Sequence, residues 1–219
     1  AWAVANSDRI LYGSVTSNYS GVHATDLAKV DATADKLTGS VLSLLKRLAK
    51  NARPRIRPIR VEGGREYFVA FVDSYAFRDL KDDLRTTHKD AMPRGRNNII
   101  FQDGDIEYDG VIVHEVPEIS DFIDGSADPI VGEANLSGAD WTSLATAGDS
   151  SGRVSPVFLC GQQAVGYGLG QAPDIKIDKL YDYEFQPGVA IECKHDIDKS
   201  FFNTVQHGMV TGFVSAAGD

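Results

Sequence analysis

Apolar positions along the chain change their spacing several times, and each change marks an element. Leu37, Val41, Leu44, Leu45 and Leu48 recur at helical spacing. They predict a helix from Thr38 to Asn51, with Thr38 or Ser40 as its cap and Pro54 as its stop. Lys46, Arg47 and Lys50 fall in its last turns, where cations suit the helix dipole. Upstream, residues 1–12 read as a short helix with Trp2, Ile10 and Leu11 as packing residues. Residues 13–36, rich in Gly, Ser, Thr, Asn and Asp, read as a long loop or extended arm. Structureless stretches of that length are uncommon in compact domains and usually functional.

Downstream of Pro54, residues 55–61 run extended, with Ile56, Ile59 and Val61 as the apolar members, and Gly63-Gly64 makes a turn. Tyr67 to Val72 is apolar without alternation, as a strand buried on both faces should be. Ser74 caps a second helix carrying Phe77, Leu80 and Leu84 on one face, ending near Met92-Pro93 and followed by a polar loop over Arg94 to Asn98. Ile99 to Ile119 predicts two strands around an Asp109-Gly110 turn. The segment 120–152 reads as a surface excursion. Ser155-Pro156 reads as the start of a helix reaching about Gly170, weakened by Gly161, Gly166 and Gly168. Strands are predicted over 174–180, 187–193 and 207–216, with a linker at Ser200 to Val205. The fold class is α+β.

Composition adds little and charge adds much. The chain has 219 residues, 42% hydrophobic and 24% charged, enough for one sizeable core or two small ones. No run approaches the ~20 apolar residues of a membrane span, and no basic-then-apolar leader opens the sequence. The first residue is Ala1, which suggests a trimmed mature form or a missing upstream segment. Cys160 and Cys193 form no CxxC and read as two buried free thiols suited to a reducing compartment. The net charge of −9 is bipolar. Lys46, Arg47, Lys50, Arg53, Arg55, Arg57, Arg60 and Arg65 crowd into twenty residues with Glu62 as the sole acid there, whereas residues 101–200 hold nineteen acids against five bases. Such a stripe can bind nucleic acid, meet an acidic surface on an identical neighbour, or simply be a solvated face.

Candidate chemistry is sparse. His23, His88, His114, His195 and His207 include no pair at the i, i+4 spacing of a helical zinc site. Asp103, Asp105, Glu107 and Asp109 alternate, so a strand would line them on one face; Tyr108 stands where a calcium loop needs Gly. They read as an acidic face that meets solvent or a neighbour's arginines. Gly166, Gly168 and Gly170 do not match GxGxxG, and no nucleophile elbow or phosphate loop occurs. No catalytic, cofactor or metal residue is therefore assigned, and the chain reads as a non-enzyme.

Ile56-Arg57-Pro58-Ile59, Gly63-Gly64, the Tyr67 to Val72 strand and Arg78-Asp79-Leu80 resemble, in that order, the hallmark of the major capsid protein family typified by coliphage N-4. Asn97 to Phe101, Tyr108 to Val113, Leu159 to Ala164, Lys199 to Asn203 and Gly208 to Val210 are similar to its later motifs, although Asn98 stands where Pro is common. The resemblance covers most of residues 37–219; the family carries more chain before Ala1, and 120–152 has no matching motif.

The resemblance implies the HK-97-type fold. Residues 1–64 and 184–219 would form the peripheral domain, with 38–51 as its spine helix beside long strands. Residues 65–183 would form the axial domain, a sheet flanked by helices, with 120–152 as a surface excursion. It implies a coat subunit that assembles into hexamers and pentamers of an icosahedral head, in the host cytoplasm and then the virion. Packaged DNA lies nearby, portal, scaffold or decoration proteins are further partners, and neither cofactor nor membrane is involved. The basic stripe would face DNA or the acidic face Asp103, Asp105, Glu107 and Asp109 of another subunit. Three rivals stand beside this reading: an encapsulin-like nanocompartment shell, a metal-dependent hydrolase built on His114-Glu115 and the Asp103 to Asp109 region, and a DNA-binding protein using the basic stripe.

Overall fold

In a computed structural model of the chain, the described residues are 2–61, 63–91, 101–102, 105–124, 142–178 and 188–216. In chain order the helices are α1 (Trp2–Ala5), α2 (His23–Leu27), α3 (Gly39–Asn51), α4 (Ser74–Ala91) and α5 (Glu118–Asp124). The strands are β1 (Ile10–Tyr12), β2 (Ile59–Arg60), β3 (Glu66–Val72), β4 (Phe101–Gln102), β5 (Asp105–Tyr108), β6 (Val111–Glu115), β7 (Val154–Cys160), β8 (Val165–Asp178), β9 (Gly188–Lys199), β10 (Phe201–Phe202), β11 (Val205–Gln206) and β12 (Met209–Ser215).

One eight-stranded mixed sheet organises the body, in the order β1-β12-β7-β3-β6-β5-β4, with β2 attached to β3. β3 runs parallel to β6 and antiparallel to β7, and β1 runs parallel to β12. Alternation along the strands sends side chains to both faces, and both are buried. On one face α3 and α4 lay Val41, Leu42, Leu45, Phe77 and Leu80 against Phe68, Ala70, Val113, Val157, Leu159 and Val210. On the other, Tyr12, Leu27, Val30, Ile119, Ile123, Leu144, Val154 and Phe213 form a second cluster.

The helix expected over Thr38 to Asn51 is present. The Thr38 side chain accepts from the Val41 N–H, as its capping role requires. Gly39 abuts the Tyr108 ring, which a Cβ there would approach at 3.0 Å. Leu42 and Leu45 share their buried cluster with Phe68 and Ala70, so a single core runs across the position 64/65 boundary that the resemblance suggests. The second helix and the Tyr67 to Val72 strand are also present. The turn at Asp109-Gly110 has positive φ at both residues, 49° and 69°, as a two-residue hairpin joining β5 to β6 requires.

Several expectations need correction. Residues 1–12 hold only the four-residue α1, and Ile10 to Tyr12 instead pair as a buried edge strand. Residues 13–36 are no extended arm. Buried Asp26 accepts from the Ser20 N–H and hydroxyl, and buried Asp35 accepts from the Ser14 and Asp31 N–H groups at 2.7 and 3.0 Å; the two carboxylates fold the segment onto the body. The stretch over 120–152 is anchored at its described ends by Ile123 and Leu144, both buried.

The largest correction concerns Ser155 to Gly170, which forms strands rather than a helix. Val154–Cys160 is a central strand, paired to β12 throughout and to β3 over Phe158 to Cys160. Pro156 lies beyond the β3 pairing, where its missing N–H costs no bond on that side. Val165, Tyr167 and Leu169 alternate with glycines at the period of a strand. The expected strands near 174 and 187 belong to one antiparallel ribbon, β8 with β9, bulged between Leu169 and Asp174.

Candidate functional site

The basic stripe divides in the structure. Lys46, on α3, leans over the β5–β6 turn, with Nζ 2.9 Å from Asp109 Oδ1 and a second bond to the Asp109 carbonyl. The Ser43 hydroxyl donates to Asp109 Oδ2 at 2.9 Å. The Lys46 ammonium holds the Asp109 carboxyl below the usual range; burial opposes this and Ser43 reinforces it. A depressed carboxylate stabilises the fold above its unfolded pKa and loses that contribution as pH falls through its folded pKa. Lys46→Met is therefore expected to raise the Asp109 titration toward the ordinary carboxylate range in an NMR pH series, Ser43 keeping part of the depression. An unmoved titration would refute the pairing.

Arg60 meets Glu66 at 3.1 Å on the exposed β2–β3 strip, and Arg65 bonds Tyr67, which raises its pKa. Arg47, Lys50, Arg53, Arg55 and Arg57 are exposed, and among the described residues none of their side chains joins an ion pair. Three of them, Lys50, Arg55 and Arg57, line an open groove of about 700 Å³ with Pro54, Ile56, Pro58 and Gln163.

Local structure explains that display. After α3 ends, Ile56 is buried and its N–H bonds the Ala49 carbonyl at 3.0 Å, which turns its neighbours Arg55 and Arg57 outward. The Arg57 carbonyl accepts from the Gln162 N–H at 2.9 Å. Gly161 permits this approach: a Cβ there would lie 2.5 Å from the Arg57 oxygen and 2.6 Å from Ile56 Cγ2. At Arg53, just before the groove residues, the fully buried Arg9 guanidinium bonds Asp8, the Gln206 carbonyl and, at 2.8 Å, the Arg53 carbonyl, while Asp8 accepts from the Arg53 N–H at 2.7 Å. Arg9 and Asp8 thus hold the cationic loop. The sequence offers no signal for this beyond their adjacency.

The acidic group is partly consumed within the chain. Asp105 and Glu107 sit on β5, on the face opposite buried Ile106, as alternation predicts. Asp105 pairs with His114 Nδ1 at 2.8 Å, Asp109 is taken by Lys46, and Asp103 lies outside the described residues. Catalytic chemistry finds no convergence here. Among the described residues no three His, Cys, Asp or Glu side chains gather as a metal set. His23 bonds Tyr12 at 2.7 Å beside the Phe213 ring, and burial lowers its pKa. Cys160 is buried, as expected, and burial pushes its pKa up to about 11. Cys193 is exposed, contrary to expectation, because it lies on the ribbon, 3.2 Å from His195.

That ribbon carries a surface the residue patterns did not single out. Register places Val165, Tyr167, Leu169, Ile175 and Ile177 of β8 on one face with Val189, Ile191, His195, Ile197 and Lys199 of β9. Their large apolar side chains are all more than half exposed. Gly166, Gly168, Asp174 and Lys176 share the opposite face with Glu192, Lys194, Asp196 and Asp198. The legible signal was the odd-numbered apolar alternation, which spans both strands.

The profile of the phage capsid protein family matches residues 1–213. The chain is 28% identical over 201 residues to the major capsid protein of Pseudomonas phage KPP25, covering 86% of this chain and 48% of that protein. Among solved structures it is similar to the cyanophage Pam1 capsid asymmetric unit, with a TM-score of 0.75 and 38% identity over 99% of this chain and 56% of that one. The capsid of Ralstonia phage GP4 matches in fold, with a TM-score of 0.61 at 20% identity over 98% of this chain and 54% of that one. These likenesses are consistent with the HK-97-type fold. The chain spans about half the length of these relatives.

Proposed function

We propose, since the chain belongs to the phage capsid protein family, that it serves as a shell-forming coat polypeptide whose work is self-association into a head enclosing DNA. The observation that carries this reading is the likeness to the Pam1 capsid structure across nearly the whole chain at 38% identity. Likeness to phage coats favours this over a nanocompartment shell. A hydrolase lacks support from converging side chains among the described residues.

In this reading the copies meet in hexamers and pentamers, and many weak, repeated contacts close the shell. The groove cations Lys50, Arg55 and Arg57, exposed in the structure, face acidic residues of a neighbouring copy or the packaged DNA. Each exposed pair contributes about 0–1 kcal/mol, and repetition by symmetry multiplies it. Residues 65–183 are assigned to the axial part, and 1–64 with 184–219 to the peripheral part. The buried cluster that α3 shares with β3 lies across their junction. Portal, scaffold or decoration proteins are further partners, and assembly takes place in the host cytoplasm.

The test is the double charge reversal Arg55→Glu/Arg57→Glu. Both side chains are exposed and unpaired among the described residues, so folding by near-UV circular dichroism is expected to be unchanged. Particle yield by electron microscopy is expected to fall at least ten-fold. Particles at normal yield would remove the groove from the assembly contact.

A further inference from the structure

We propose that the root of the β8–β9 ribbon positions the cationic loop, residues 53–57, so that the display of Arg55 and Arg57 follows the conformation of the β10–β11 hairpin. The coupling concerns the backbone that carries these cations. It holds whatever packs against the ribbon or binds in the groove.

β8 begins at Val165 and β9 ends at Lys199, so the root consists of the turn 161–164 and the segment 200–208. Backbone bonds join these two pieces. The Gly161 N–H donates to the Gly208 carbonyl at 2.8 Å, the Ser200 N–H to the Ala164 carbonyl at 3.0 Å and the His207 N–H to the Ser200 carbonyl at 3.0 Å. Gly208 lies so close to Gln163 that a Cβ there would overlap the Gln163 carbonyl.

The loop is held to this root at both ends. At Arg57 the carbonyl accepts from the Gln162 N–H, and Gly161 lies against it with no room for a Cβ. At Arg53 the tie is a single side chain. The Arg9 guanidinium bonds both the Arg53 and the Gln206 carbonyls, while Asp8 takes its Nε–H and an Nη2–H. Asn6 adds two bonds to the same hairpin, donating to the Thr204 carbonyl at 2.9 Å and accepting from the Gln206 N–H at 2.8 Å. Asn6, Arg9 and Gln206 are all buried.

A guanidinium is planar and rigid, so it fixes the spacing of the two carbonyls it bridges. Releasing either one would leave a buried polar group unsatisfied. A shift at Gln206 is therefore passed on to Arg53. The tie at Arg57 leads back to Gly208, two residues further along the same segment. Between the ties Ile56 is buried, with its N–H on the Ala49 carbonyl. Displacement of the two ends then redirects Arg55 and Arg57 on either side of it.

The hairpin turn gives a handle on this coupling. Asn203 and Thr204 are exposed and have φ of 51° and 65°. A β-branched residue is costly there, whereas Asn-Gly is the pair that a two-residue turn of this kind favours.

The test is amide hydrogen exchange, which reads local opening, resolved by NMR at Arg53, Ile56 and Gln162. Thr204→Gly, which relieves the turn, is expected to slow these amides at least three-fold. Asn203→Val, which strains it, is expected to speed them at least three-fold and, with Arg55 and Arg57 intact, to lower particle yield. Ser150→Val strains a different exposed turn, where φ is 56°, and is expected to leave the three amides unchanged. Loop amides that ignore the hairpin variants would overturn the inference and leave the shell reading standing. Loop amides that respond equally to Ser150→Val would overturn it too, because the chain would then be loosening as a whole. If Asn203→Val does not fold, unchanged exchange in Thr204→Gly overturns the inference alone. Loop amides that follow the hairpin while particles form at normal yield would support the inference and take the groove out of assembly.

Discussion

Asp73→Ala is expected to lower the unfolding free energy by about 3 kcal/mol, because it takes a charged acceptor away from the Arg153 and Ser120 donors. Asp73 lies at the end of β3 and is fully buried. Its carboxylate accepts from Arg153 Nη1 at 2.7 Å and from the Ser120 hydroxyl, joining the strand to α5 and to the segment that enters β7. The Arg153 side chain is 11% exposed, so water reaches it only in part. The Tyr75 ring, 4.5 Å from the guanidinium, is no substitute for a carboxylate. Urea denaturation measures the loss. Asp73→Asn, which keeps the hydrogen-bond acceptor, is expected to lose less than Ala. Equal stability of wild type and Asp73→Ala would show the pair to be idle.

The second large effect lies at the contact between α3 and the sheet. Leu45 is fully buried, and its Cδ2 would stand 3.1 Å from a Cβ built at Gly212 of β12. Leu45→Ala removes packing and leaves a cavity, at a cost of about 2–5 kcal/mol. Gly212→Ala alone overpacks the same spot, at about 1–3 kcal/mol. The two changes compensate in volume, so the double variant is expected to lose less than the sum of the singles by about 1 kcal/mol or more, as neighbouring sites do. Strict additivity in a chemical-denaturation cycle would mean that helix and strand are not in the contact described.

These sites show how far the residue pattern reaches. The α3 and α4 helices were legible because each buries one stripe, and burial imposes a period; the β3 strand was legible because its apolar run is short and bounded by Gly63-Gly64 and Ser74. The Asp109-Gly110 turn was legible because positive φ restricts the residues that fit. Val154–Cys160 was not, because Ser155-Pro156 near its start mimics a helix opening. Asp26 and Asp35 were missed because a carboxylate that folds a loop looks, in sequence, like one that solvates it. The basic stripe was visible as a count of charges. That Lys46 turns inward to Asp109 while Arg55 and Arg57 are exposed depends on where Ile56 is buried, and charge counting carries no such information. The ribbon's apolar face was hidden by reading its first half as the tail of a helix.

The position of β12 bears on synthesis. This strand is inserted between β1 and β7, pairing Ile10 with Thr211 and Val154 with Ser215. The central sheet therefore cannot close until residues near 215 have left the ribosome, and β1 waits some two hundred residues for its neighbour. Contacts so distant in sequence slow folding, and the nascent chain meanwhile exposes the unpaired edge of β7. A polypeptide made in many copies at once would then rely on chaperones to shield that edge until its last strand arrives.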